Sequence, residues 1–344
     1  MWVLGMWMML PWSSRTLRFS LSSRTTTSRL FSSLGSRPAT APPSSSLAFN
    51  ASQLFTSVSF FLFTPLSDFH IDRLLSRAQT GLASFSAKGT LLIAPEGING
   101  QFCVPSDHIE HFRDCLVAID STFEAVDFNL GNTTAYYERE FPFKKLSVKR
   151  KKFILTDNHN ISLNLSDDYG REASAEEWHL LVTGNNGSKV EKPRNTVLID
   201  CRNDYESDIG AFEGAVPLNT KVFSDSWEAL DSLLEGVDPT NTTLLTYCTG
   251  GIRCRKTNAY LRQKKGFKDV VSLKHGIIGY ERWVSGRKEG EKEEIESAFK
   301  GRNYLFDRSK MEKQQQAVET PSSMLNTSPQ NNASDEDCSY MNSL

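Results

Sequence analysis

The residues best suited to chemistry lie in "TLLTYCTGGIRCRKTNAYL", Thr243 to Leu261, where Cys248 closes an apolar run and Thr249, Gly250, Gly251 and Ile252 separate it from Arg253. The apolar run reads as a strand and the residues from about Arg253 as a helix, so the thiol falls at the strand-to-helix turn where open parallel sheets hold their ligands. Gly250 and Gly251 permit a tight loop whose N–H groups, with the helix N-terminus, favour an anion and lower a thiol pKa from about 8.5 toward neutrality. Cys248 is therefore expected to be a thiolate nucleophile, with Arg253 as a second catalytic residue that fixes a cation for an anionic substrate or intermediate. Cys254 is a possible resolving thiol, if its Cα lies within about 7 Å of that of Cys248. The five residues between these cysteines exceed the two to four typical of zinc pairs, so no metal is assigned. The four residues between Cys248 and Arg253 make a cradle better sized for a persulfide than for a tetrahedral phosphate.

The elements around this loop alternate. "TVLIDCRNDYESDIGAFEGAVPLN" reads as a buried strand ending at Asp200 and a polar turn, "SWEALDSLLEG" as a helix, "TTLLTYC" as a strand, "RKTNAYLRQKKG" as a helix and "DVVSL" as a strand. Such alternation predicts a parallel sheet with helices on both faces. Upstream, "SAEEWHLLV" is a helix capped by Ser174, with Glu177 completing a capping box.

A different pattern precedes it. "SVSFFLF" reads as a strand, "SDFHIDRLLSRAQTG" as an Asp-capped helix closed by Gly81, and "AKGTLLIAPEGINGQFCV" as a hairpin. A helix from Ser106 to Ile119 and a strand "EAVDFNL" complete the order strand, helix, strand, strand, helix, strand. That is the split βαβ pattern of a ferredoxin-like domain, whose helices cover one sheet face and leave the other for a partner. The turn "APEGING" suits either a hairpin or an anion nest; the hairpin is the simpler reading. Next comes "REFPFKKLSVKRKKFIL", with Lys144, Lys145, Lys149, Arg150, Lys151 and Lys152 interleaved with Phe141, Phe143 and Phe153. Cations that track phosphates beside aromatics that stack on bases suit nucleic acid, and a solvated hairpin with core Phe residues suits the same pattern.

The organisation expected is a targeting peptide over 1–53, a ferredoxin-like (acylphosphatase-like) domain with its basic segment over 54–156, a linker with a short helix over 157–192, a parallel-sheet domain over 193–306 and a polar disordered tail over 307–344. The leader has no Asp or Glu before Asp68 but several arginines among Ser and Thr, a transit-peptide composition that favours a plastid over a mitochondrion. Its apolar start also fits a secretory signal, and a cytosolic protein is the remaining alternative. No mature membrane helix is expected. Six cysteines in 344 residues without regular pairing spacings suit a reduced compartment. The net charge of −2 excludes whole-chain attraction to nucleic acid and leaves only local charge to supply it.

"DCRNDYESDIGAFEGA" followed by "YCTGGIRC" resembles a rhodanese domain, with Asp200, Arg202 and Glu206 on its early motif and Cys248 to Arg253 on its active-site loop. Together with "GTLLIAPEGINGQF", "FPFKKLSVKRKKFI" and "NYLFDR", these motifs resemble the rhodanese-related tRNA uridine hydroxylase family over roughly residues 55 to 308. The resemblance implies oxygen-dependent hydroxylation of a wobble uridine at carbon 5, with tRNA as partner through its anticodon region, dioxygen as co-substrate, and the cysteine at 248 essential. It also favours RNA contact for the basic segment. In this family a glycine usually stands where this chain has His275, which is read as a local variation and not as a general base. The Cys-rich extension of many bacterial members is replaced here by a polar tail. No cofactor is identifiable, since neither a ligand set nor a dinucleotide fingerprint appears. The alternatives are a sulfurtransferase working through a Cys248 persulfide and a non-catalytic binding module.

Overall fold

The computed structural model describes residues 53–83, 85, 87–135, 142–158, 162–184, 195–288 and 295–304. The expectations for the leader, the tail and Phe141 lie outside the described residues. No helix among the described residues is long and apolar enough to cross a membrane.

The first domain is built from β1 (Leu54–Phe63), α1 (Asp68–Ala83), β2 (Lys88–Ala94), β3 (Gly97–Pro105), α2 (Ile109–Ile119), β4 (Asn129–Ala135) and β5 (Leu146–Arg150). The sheet runs β4-β1-β3-β2-β5, antiparallel except for β5, which lies parallel to β2. Strand alternation sorts β1: Val58 and Phe60 join the core under the helices, while Ser57, Ser59 and Phe61 face the other way. The helices meet that core through Ile71, Leu74, Ala78 and Leu82 of α1 and through Phe112, Leu116 and Ile119 of α2.

Three local expectations change here. The cap of α1 is Ser67, whose hydroxyl accepts from the His70 N–H at 3.3 Å, while Asp68 sits in the first turn. Gly81 does not end α1; it lies where α1 crosses α2, and a Cβ there would stand 2.8 Å from Ile119. The fourth strand begins at Asn129, because Ser121–Ala125 forms a 3-10 turn that inserts Phe123 into the core ahead of it.

The second domain contains β6 (Arg171–Ala173), α3 (Ala175–Thr183), β7 (Thr196–Asp200), α4 (Asp204–Ser207), β8 (Gly210–Phe212), β9 (Val216–Pro217), α5 (Ser226–Leu233), β10 (Thr243–Tyr247), α6 (Ile252–Gln263), β11 (Asp269–Leu273), α7 (Gly276–Lys288) and β12 (Phe299–Gly301). Its parallel sheet runs β6-β11-β10-β7-β9. β10 is buried along its whole length, as a central parallel strand covered on both faces must be. Leu244 points to a core shared with α5 and α6, and Leu245 to one shared with Trp178 of α3 and Tyr280 of α7. Thus β6, read from sequence as part of a linker, is an edge strand of this sheet. Ser174 caps α3 by accepting from the Glu177 N–H at 3.2 Å, but the Glu177 carboxylate takes Arg171 instead of closing a capping box.

The second face of the first sheet meets the second domain. Asn129 Nδ2 donates to the His275 carbonyl at 2.8 Å, and Arg282 donates to the Leu130 carbonyl at 2.7 Å. Lys256 on α6 is 2% exposed, and its ammonium reaches Glu96 (2.8 Å), Asp157 (2.9 Å) and the Leu155 carbonyl (2.9 Å). Glu96 lies in the two-residue turn of the β2–β3 hairpin, and its carboxylate also accepts from the Ile154 N–H at 2.7 Å. "APEGING" is therefore a hairpin whose turn anchors the helix behind Cys248.

Candidate active site

Cys248 follows β10 and is 1% exposed. The loop after it turns through Gly251, whose φ of +103° is open to glycine at little cost, and passes directly into α6. Gly250 has no such backbone requirement; a Cβ there would meet only the Asn129 amide, at 3.7 Å. The loop carbonyls are held from the opposite side, since the N–H groups of Ile277 and Ile278, in the first turn of α7, donate to Cys248 O (3.0 Å) and Thr249 O (3.2 Å). Gly276 has to be glycine for this, because a Cβ would stand 2.4 Å from the Cys248 oxygen. Just before it, His275 takes a φ of +62°, the left-handed region that favours glycine, and its ring meets Asp127 at 2.9 Å.

The Gly251 N–H donates to Cys248 Sγ at 3.1 Å. Burial alone would raise the Cys248 thiol, but the Cys254 thiol, the Arg253 charge and the N–H groups of Cys254 and Gly251 outweigh it and bring its pKa down to about 5. Cys254 bears the counterpart: burial, with Cys201 and Cys248 both close by, pushes its thiol well up. At neutral pH the arrangement is a Cys248 thiolate hydrogen-bonded by a neutral Cys254, with Cys201 behind it. All three are free thiols.

Arg253 does not stand open to an arriving anion. It is buried, with Nη1 and Nη2 donating to the two oxygens of Glu206 at 2.6 and 2.8 Å and Nη2 also donating to Thr249 Oγ1 at 3.1 Å. Thr249 donates in turn to Glu206 at 2.9 Å. Burial would raise the Glu206 carboxyl, but Arg253 more than offsets this and holds it ionised. Asp200 and Arg202 form a second buried pair at 2.6 Å, and Asp200 also accepts from Tyr247 (2.8 Å) and Ser207 (3.0 Å). These acids and bases brace the loop from below. Ile252, the first residue of α6, is partly exposed.

The basic segment divides by strand alternation. Lys149 on β5 is exposed and projects on the same sheet face as Phe61, whereas Arg150 projects on the helix face and pairs with Asp68 and Asp72 of α1. Lys144, Lys145 and Lys152 are exposed and Lys151 is half-buried. Phe143 packs on Cys103 and Phe55. The loop and its bracing residues are thus brought together, and Arg150 is drawn away from the other cations. Sequence reasoning missed the roles of Lys256, Glu96 and Asn129, because their partners lie far away in the chain and no local pattern marks them.

Residues 55–154 match the UPF0176 acylphosphatase-like domain, and residues 187–283 match the rhodanese-like domain. Proteins named tRNA uridine(34) hydroxylase are similar over most of the chain. The one from Legionella pneumophila (strain Paris) is 32% identical over 249 residues, covering 72% of this chain and 87% of that protein. The one from Leptospira interrogans is 34% identical over 73% of this chain and 62% of its own longer length. The one from Prochlorococcus marinus (strain MIT 9215) is 31% identical over 75% of this chain and 76% of that protein. A chain with both domains in this order and this extent of identity belongs to the tRNA uridine(34) hydroxylase family.

Proposed function

We propose that this protein hydroxylates the wobble uridine of tRNA at carbon 5, with Cys248 as the nucleophile. The observation that carries the reading is the depressed pKa of a thiol cradled by the Gly251 N–H, in a chain whose relatives bear that activity in their names. Carbon 6 of uracil is the electrophilic end of an unsaturated carbonyl system. Addition of the thiolate there forms the C–S bond and moves the ring π electrons to carbon 5 and the carbonyl, which opens carbon 5 to oxidation. Dioxygen would supply the hydroxyl oxygen, and its second atom leaves as water with two electrons from an external reductant. Loss of the carbon 5 proton then expels Cys248. Arg253 acts in this scheme as a positioning residue that also keeps the thiolate charged, while Cys254 donates a hydrogen bond to it.

The exposed lysines Lys144, Lys145, Lys149 and Lys152 would hold the anticodon arm by its phosphates. The composition of residues 1–53 supports delivery to an organelle, a plastid in preference to a mitochondrion; a truncation lacking them should stay in the cytosol. The deciding experiment is mass analysis of tRNA nucleosides after incubation with the wild-type chain, dioxygen and a thiol reductant. 5-Hydroxyuridine that disappears with Cys248→Ser supports the assignment, whereas sulfur-containing nucleosides would favour transfer from a Cys248 persulfide.

A further inference from the structure

The open face of the first sheet carries an unusual row. Cross-strand register sets Asn129, Ser59, Gln101, Thr90 and Ser147 side by side on β4, β1, β3, β2 and β5. Four of the five are partly exposed, and the amide and hydroxyls of Gln101, Thr90 and Ser147 have no hydrogen-bond partner among the described residues. A sheet face that served only to pack against a second domain would be apolar. This one carries a polar row that runs from β5, the strand bearing Lys149, to Asn129 beside the Cys248 loop.

Two side chains stand at its inner end. The Phe61 ring lies 3.5 Å from the position a Gly251 Cβ would take, and Asn129 Nδ2 lies 3.7 Å from that of Gly250. Phe61 is only partly buried. Asn129 is 3% exposed; its Nδ2 is fixed by the His275 carbonyl, which orients the amide, and its Oδ1 is buried with no partner. A buried acceptor left unpaired is costly, and a ligand donor would remove that cost. Uracil carries an imide N–H where cytosine carries an acceptor, so an unpaired carbonyl oxygen at this point favours uracil.

We propose that the target base is received between the two domains, with Phe61 stacking on it and Asn129 Oδ1 accepting its imide N–H, while the polar row seats the adjoining nucleotides. This base site rests on the hydroxylase reading, and it gives the first domain a direct share in choosing the base. Cys248 and Asn129 are both covered in this arrangement, so the seam between Phe61 and Gly251 parts to admit the base.

The full-length chain is irradiated with an anticodon stem-loop RNA bearing 5-iodouridine at the target position, and the crosslinked peptides are mapped. The crosslink is expected at Phe61 and should vanish in Phe61→Ala. In single-turnover assays Phe61→Ala should slow hydroxylation roughly tenfold or more, from the loss of one base–aromatic stack, while Phe61→Tyr restores it. RNA carrying 3-methyluridine, which lacks the imide N–H, should react poorly with the wild type, and Asn129→Ala should remove most of its disadvantage relative to uridine. Crosslinks confined to other surfaces, or variants that match the wild type with both RNAs, overturn the proposal and leave the hydroxylase reading intact. A Phe61 crosslink without any 5-hydroxyuridine from the wild type overturns the hydroxylase reading and supports the base site.

Discussion

Glu206 and Arg253 meet through two buried hydrogen bonds of 2.6 and 2.8 Å, so the cation beside Cys248 is held by a carboxylate on α4, 47 residues earlier in the chain. Removing one partner strands the other charge in the interior. Glu206→Gln and Arg253→Ala should each cost about 3–5 kcal/mol of folding stability, measured by urea unfolding. The double variant Glu206→Leu/Arg253→Met should recover much of that loss, yet its Cys248 pKa should rise because the guanidinium charge is gone. Single variants within about 1 kcal/mol of wild type would show that the pair does not brace the loop.

Cys248 should titrate near pH 5. Thiolate absorbance in the ultraviolet, taken as the difference between wild type and Cys248→Ser, gives the midpoint directly. The linkage sign follows from a folded pKa below the unfolded one: the stabilisation is complete above the unfolded thiol pKa of about 8.5, shrinks as pH falls, and is gone below about 5. Wild type should therefore lose more stability than Cys248→Ser between pH 9 and 5. An absorbance midpoint near 8.5, the ordinary thiol value, would contradict the cradle.

Neutralising Lys144, Lys145, Lys149 and Lys152 should flatten the salt dependence of tRNA binding by roughly 0.7–0.9 in log–log slope for each phosphate no longer neutralised. Arg150→Gln should leave that slope unchanged, since its guanidinium is engaged with Asp68 and Asp72. An equal effect from Arg150 would place it on the RNA.

His275 sits at a φ of +62° where glycine carries no steric cost. His275→Gly relieves the conformation and removes the imidazole that meets Asp127; His275→Ala removes the imidazole and keeps the conformation. The glycine variant should be the more stable of the two by about 1 kcal/mol in urea unfolding. Equal stabilities would show that the backbone bears no strain there.

The main alternation of strands and helices in both domains was legible from the chain, because alternation at period two and stripes at helical spacing report which face of an element is buried; the short elements β6, β8, β9, α4 and β12, and the helix α7 after the loop, were not. The cysteine at the end of β10, the glycine turn and the helix after it were readable for the same reason: a continuous apolar run has to be a central strand, and its end has to turn. Periodicity does not say what covers a face. That Arg253 is spent on Glu206, that Arg150 turns toward α1 while Lys149 turns away, and that Gly251 lies against Phe61 all depend on side chains far apart in the chain meeting in space. His275 shows the same division. The family resemblance implied a glycine where His275 stands, but only the packed turn between β11 and α7, which holds it at positive φ against Asp127, decides what a side chain costs there.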